Sequence, residues 1–147
     1  MEIKLTIKIK ILSITLVVFF FNPQLFADIY EVNNNKIIIL MESGVPLIDI
    51  RTKREWYETG VIKKSNLLTF FDKDGNYNVK EWMSKLKKIA SNKDPEIIIC
   101  RSGRRSRIVA NFLDQKEHYT TVFHATDGII SWIDLKIKPL YLIKVFL

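Results

Sequence analysis

The sequence predicts an α/β domain with a mainly parallel sheet flanked by helices. Three observations carry that expectation. Short apolar, β-branched runs such as Ile97-Ile98-Ile99 alternate with longer stretches of helical spacing. One of these runs passes into a basic loop and then straight into a helix, over 97–113. Beyond a distinct N-terminal segment, about 120 residues remain, the size of one small domain. No internal repeat, low-complexity stretch or second domain is visible.

Taken in order, residues 1–27 stand apart. Lys4, Lys8 and Lys10 precede an apolar stretch from Ile11 to Phe21, Pro23 ends it, and Leu25-Phe26-Ala27 offers a cleavage site before Asp28. This is the layout of a secretory signal peptide, and the apolar stretch is short for a membrane span. An uncleaved anchor is the alternative. Export to a periplasmic or extracellular location is therefore expected, with a domain over 28–138.

That domain opens with a strand at 29–32. Residues 34–42 read as a helix capped by Asn33 and ended by Ser43-Gly44, although the β-branched run Ile37-Ile38-Ile39 also suits a strand. A strand at 47–50, a short helix around 53–58 and a strand near 67–69 follow. Asp72-Lys73-Asp74-Gly75-Asn76 reads as a polar turn, since the full ligand pattern of a calcium loop is missing. A helix over 79–90 keeps Lys80, Lys85, Lys87 and Lys88 on a solvated face. Then come a strand at 97–99, a helix with Ile108, Val109, Phe112 and Leu113 at helical spacing, and a strand at 121–123. The apolar tail at 139–147 suits either an extra strand or an exposed patch for a partner or membrane; it is too short to span a bilayer.

The chain has one cysteine, Cys100, where the 97–99 strand turns into a helix. The unpaired N–H groups of a helix's first turn and nearby cations both favour a thiolate over a thiol. Arg101, Arg104, Arg105 and Arg107 supply the cations. A cysteine that merely packs gives no reason for four arginines in seven positions. A reactive sulfur is expected.

The string Cys100-Arg101-Ser102-Gly103-Arg104-Arg105-Ser106 resembles the active-site loop of the rhodanese family of single-domain sulfurtransferases. The resemblance covers most of 29–133. Upstream, Asp49-Ile50-Arg51 with Glu55-Trp56 is similar to the family's Asp-x-Arg strand and the acidic-aromatic pair after it. Downstream, Asp127-Gly128 to Trp132 is similar to its closing Gly-Gly-x-x-x-Trp segment, in which Trp132 reads as core. Two departures stand out: Val61-Ile62 replaces the family's histidine segment after Gly60, and Asp127 replaces the first closing glycine.

The resemblance implies a small rhodanese-like fold and a thiosulfate:cyanide type of sulfur transfer through a persulfide on Cys100. The backbone amides and side chains of Arg101, Ser102, Gly103, Arg104 and Arg105 are the expected substrate cradle. Arg101 and Arg104 attract the donor anion. Asp49, Arg51, Glu55 and Ser106 are expected to support the loop, with Asp49 or Glu55 pairing Arg105. Phosphatases of related design use a loop one residue longer than the four that separate Cys100 from Arg105 here. Arsenate reductases commonly need further cysteines. A non-catalytic binding or sensor module is the other alternative.

The net charge of +7 admits nucleic acid, membranes or small anions as partners. Export and the lack of a nucleic-acid motif favour a small anionic donor, with cyanide or a thiol as acceptor. A single cysteine excludes an internal disulfide. His118 and His124 lack metal-site spacing and read as structural, so no metal or cofactor is expected, and the chain is expected to be a monomer.

Overall fold

The computed structural model describes residues 28–134 and the two-residue strand at 142–143. Residues 1–27, where a signal peptide is expected, lie outside the described residues, as does most of the tail.

The elements run β1 (Asp28–Val32), α1 (Asn34–Glu42), β2 (Leu47–Asp49), α2 (Lys53–Thr59), β3 (Val61–Ile62), β4 (Asn66–Leu67), α3 (Val79–Leu86), β5 (Glu96–Ile99), α4 (Arg104–Glu117), β6 (Thr121–Ala125), α5 (Gly128–Asp134) and β7 (Leu142–Ile143). Five strands form one sheet in the order β1-β6-β5-β2-β4, and every pairing in it is parallel. β7 pairs antiparallel with β3 in a second, two-stranded sheet. Helices cover both faces, as a parallel sheet requires to bury its strands.

β5 lies at the centre and shows why the strand is so apolar. Ile98 packs with Val109, Leu113, Trp82 and Leu86 on the α3–α4 face. Ile97 and Ile99 pack with Ile37, Ile129 and Trp132 on the other. Alternate residues of one strand thus feed two cores. Trp132 is fully buried, the core role its indole suggested.

The ambiguous run at 37–39 is helical, fixed by the Asn33 side chain accepting from the Lys36 amide. The third helix stops at Leu86 instead of 90, and the edge strand sits at Asn66–Leu67 instead of 67–69. β3 and α5 are additions that local pattern did not announce. Of the apolar tail, Leu142–Ile143 forms a strand.

Strand order positions the site. From β2 the chain moves outward to β4, then returns to β5 and continues the opposite way to β6. The carboxyl ends of β2 and β5 therefore meet where the order reverses, the place where open α/β sheets form ligand crevices. Cys100 directly follows β5 there.

Candidate functional site

The loop from Cys100 to Gly103 joins β5 to α4. Gly103 is the N-cap of α4 with φ of 85°, in the left-handed region, and supplies no side-chain cap. The first-turn amides of α4 are thus left free to face an anion. Glycine is also required by space: a Cβ at Gly103 would lie 1.8 Å from the Thr126 carbonyl oxygen.

A second clamp comes from α5. The Ile129 and Ile130 amides donate to the carbonyls of Cys100 and Arg101, at 2.9 and 3.1 Å. At Gly128, a Cβ would lie 2.4 Å from the Arg101 carbonyl oxygen. The closing segment thus buttresses the loop backbone. Asp127 is tolerated because only Gly128 of the two has a positive φ, so its substitution for glycine leaves the turn intact.

The arginines divide by role. Arg101 and Arg104 are exposed and have no ion-pair partner among the described residues. Arg107 pairs with Glu31 at 2.6 Å. Arg105 is half-buried, and its two terminal nitrogens donate to Glu55 at 2.9 and 2.5 Å. Its pKa is raised above the ordinary arginine value by the hydrogen bond to Glu55, with the Glu55 charge adding to it and burial opposing. Arg105 therefore ties the first turn of α4 to Glu55 on α2.

Glu55 holds its place through the start of α2. Thr52 caps the helix by accepting from the Glu55 amide, and Glu55 returns the bond from the Thr52 amide at 3.0 Å. This capping box leaves its carboxylate facing Arg105. Burial works against ionisation of Glu55, but the Arg105 and Thr52 hydrogen bonds and the Arg105 charge outweigh it. The pKa falls to about 2.

Asp49 does not pair with Arg105. Its carboxylate takes the Arg51 side chain instead, Nε at 2.9 Å and Nη2 at 2.6 Å. The pair is fully buried rather than a surface contact, with side chains 1% and 0% exposed. Arg51 also donates to the Gly60 carbonyl at 2.8 Å and to Thr59 Oγ1 at 2.6 Å. It thereby fastens the far end of α2, the helix that carries Glu55, and supports the loop only through that helix.

Ser102 is exposed at the loop's tip, whereas Ser106 is buried. Cys100 itself is 1% exposed, and its Sγ lies 3.5 Å from Ser106 Oγ. Ser106 Oγ lies 3.0 Å from His124 Nδ1 and 3.0 Å from the Gly103 carbonyl. His124, which the sequence suggests is structural, is buried with Nδ1 within hydrogen-bond reach of Ser106, one step from the thiol. Its position became legible only once β5 and β6 were neighbours. Among the described residues, no cluster of His, Cys, Asp and Glu is placed to hold a metal ion.

A family model, the rhodanese-like domain, matches residues 29–135. The chain belongs to the rhodanese-like domain family. It is 33% identical over 95 residues to an uncharacterised protein of Rickettsia conorii, spanning 62% of this chain and 74% of that relative. Among solved structures, the rhodanese-like fold is shared with a homodimer from Wolinella succinogenes called a polysulfide-sulfur transferase. That likeness has TM-score 0.57 and 16% identity, covering 76% of this chain and 78% of that one. A protein of unknown function from Rhodopseudomonas palustris, described as a possible tyrosine phosphatase, matches with TM-score 0.53 and 24% identity. It covers 74% of this chain and 82% of the other. At such identities both structures speak for the fold.

Proposed function

We propose that this rhodanese-like domain is a sulfurtransferase that carries sulfane sulfur on Cys100 from an anionic donor of the thiosulfate kind to a thiophilic acceptor. One observation carries the reading. The single thiol sits under a short loop whose Arg101 and Arg104 are exposed without ion-pair partners among the described residues, while Arg105 is committed to Glu55. Two free cations beside a nucleophile suit a small dianion.

The steps follow from this placement. The Cys100 thiolate attacks the outer sulfur of thiosulfate, an S–S bond forms on Sγ, and sulfite leaves with the electron pair of the broken S–S bond. The persulfide anion then accepts hydrogen bonds from the loop amides, a preorganised electrostatic role. An acceptor such as cyanide or a thiolate attacks the terminal sulfur and returns Cys100 as thiolate. With no second cysteine in the chain, the acceptor is an external molecule.

The four residues between Cys100 and Arg105 favour sulfur over phosphoryl transfer, since a loop of this length has one amide fewer to surround a phosphate. We place the protein outside the cytoplasm on the strength of the basic, then apolar, N-terminal segment. The test is thiocyanate formation from thiosulfate and cyanide, beside hydrolysis of a small aryl phosphate. Thiocyanate formation that disappears in Cys100→Ser supports the proposal. Phosphate release without thiocyanate overturns it.

A further inference from the structure

A buried polar chain runs from the thiol into the sheet, and nothing in the sulfur-transfer steps above uses its far end. Cys100 Sγ, Ser106 Oγ and His124 Nδ1 follow one another at 3.5 and 3.0 Å, with all three residues 1% exposed or less. Ser106 Oγ also lies 3.0 Å from the Gly103 carbonyl. A hydroxyl has one proton to give and two lone pairs to receive. Three neighbours therefore compete for it.

The proton count selects the arrangement. If His124 Nδ1 were bare, it would take the hydroxyl proton, and the serine would present only lone pairs to a thiolate. If His124 carries its proton on Nδ1, it donates to Oγ, and the hydroxyl is free to turn its proton toward sulfur. In the thiol state that proton serves the Gly103 carbonyl. On ionisation, with the thiol proton lost to water, it swings to the negative sulfur.

We infer that His124 is a positioning residue which, by donating Nδ1–H to Ser106, directs the Ser106 hydroxyl proton onto the Cys100 thiolate. The inference rests on the sulfur-transfer reading for its purpose but not for its geometry. The surroundings support a neutral ring with one proton to place. Burial lowers the His124 pKa, Arg107 on α4 lowers it further, and Glu31 opposes. Glu31 stands in register with His124 on β1, and the β5 residue in register is the apolar Ile98. On α4, Ser106 meets the ring at Nδ1, and Cys100 follows beyond the hydroxyl.

The single cysteine makes the test direct. Thiolate absorbance is titrated in the full chain, and the signal of Cys100→Ser is subtracted, which removes the tyrosines. His124→Leu and Ser106→Ala are each expected to raise the midpoint by about one pH unit. The double variant shifts no further than either alone, because both break one chain. His124→Asn keeps an N–H donor near the Nδ1 position and stays close to wild type. An unchanged midpoint in His124→Leu, equal shifts for Asn and Leu, or additive shifts in the double variant would overturn the inference. Nitrogen NMR of the wild-type ring decides the same point without any substitution: a protonated Nδ1 supports it and a bare Nδ1 sinks it. No sulfur donor enters these titrations, so their failure leaves the sulfur-transfer proposal standing, and the reverse also holds.

Discussion

The Arg105 guanidinium and the Glu55 carboxylate meet at two points across 50 positions of sequence, joining the helix behind the thiol loop to the capping box of α2. One carboxylate thus starts one helix and fixes an arginine in the first turn of another. Lysine retains the charge but lacks the planar fork. Arg105→Lys is expected to lower sulfur transfer at least about tenfold, a loss of about 1.4 kcal/mol in transition-state stabilisation. Its melting temperature changes little by comparison. Equal activity in a folded Arg105→Lys protein would remove the loop-shaping role.

The same pair shapes stability in acid. The folded-state pKa of Glu55, about 2, lies below its ordinary value of 4.5. Its contribution is therefore complete above pH 4.5 and is lost as pH falls toward 2. Glu55→Gln should flatten that part of the curve of melting temperature against pH. A Gln variant with the wild-type acid slope would contradict the pairing.

The Asp49–Arg51 pair is buried, so removing one partner strands the other. Arg51→Met is expected to cost about 3–5 kcal/mol in urea unfolding, because Asp49 loses its counter-charge and hydrogen bonds. Replacing both residues by apolar ones should cost less than Arg51→Met alone. A single variant as stable as wild type would show that Asp49 finds another partner.

Two glycines with nearly the same positive φ separate strain from clash. Gly75 has open space around its Cβ position, so Gly75→Ala should cost about 1–2 kcal/mol of backbone strain. Gly103→Ala adds a collision with the Thr126 carbonyl and should cost more than about 3 kcal/mol, with the loop displaced. Equal costs at both sites would mean that the loop yields freely.

Glu96 opens β5 at the opposite end from Cys100. It is 0% exposed, and neither carboxyl oxygen has a hydrogen-bond partner among the described residues. Burial, reinforced by Asp94, pushes its pKa up to about 9 from 4.5. The folded state holds the proton more tightly than the unfolded one, so the stabilisation is full below pH 4.5 and drains away as pH rises toward 9. By pH 7 the loss is on the order of 3 kcal/mol. Glu96→Gln should remove this slope and be the more stable protein at pH 8. A wild-type curve that is flat over this range would show Glu96 ionised and partnered.

The central motif was legible because its signals are local. A β-branched run, one glycine and a basic stretch mark β5, the loop and α4 within a few residues. Other features depend on contacts made across the fold. Asp49 and Glu55 were equal candidates for Arg105 until Arg51, two positions from Asp49, proved to hold its carboxylate. α5 begins at a glycine without a local capping signal, and its opening amides bond to Cys100 and Arg101 carbonyls that lie far away in sequence. β3 has two residues, too few for a period. His124 gains its meaning from a neighbouring strand and a helix packed above it, neither of which its flanking residues encode.

Sulfur on Cys100 is the claim that matters most, and intact mass reads it most directly. The purified protein is weighed after brief incubation with thiosulfate, and again after cyanide is added. The expected result is a gain of one sulfur atom on Cys100, absent in Cys100→Ser, then its removal by cyanide with thiocyanate released. No gain on a thiol shown to be free and reduced would contradict sulfur transfer from thiosulfate.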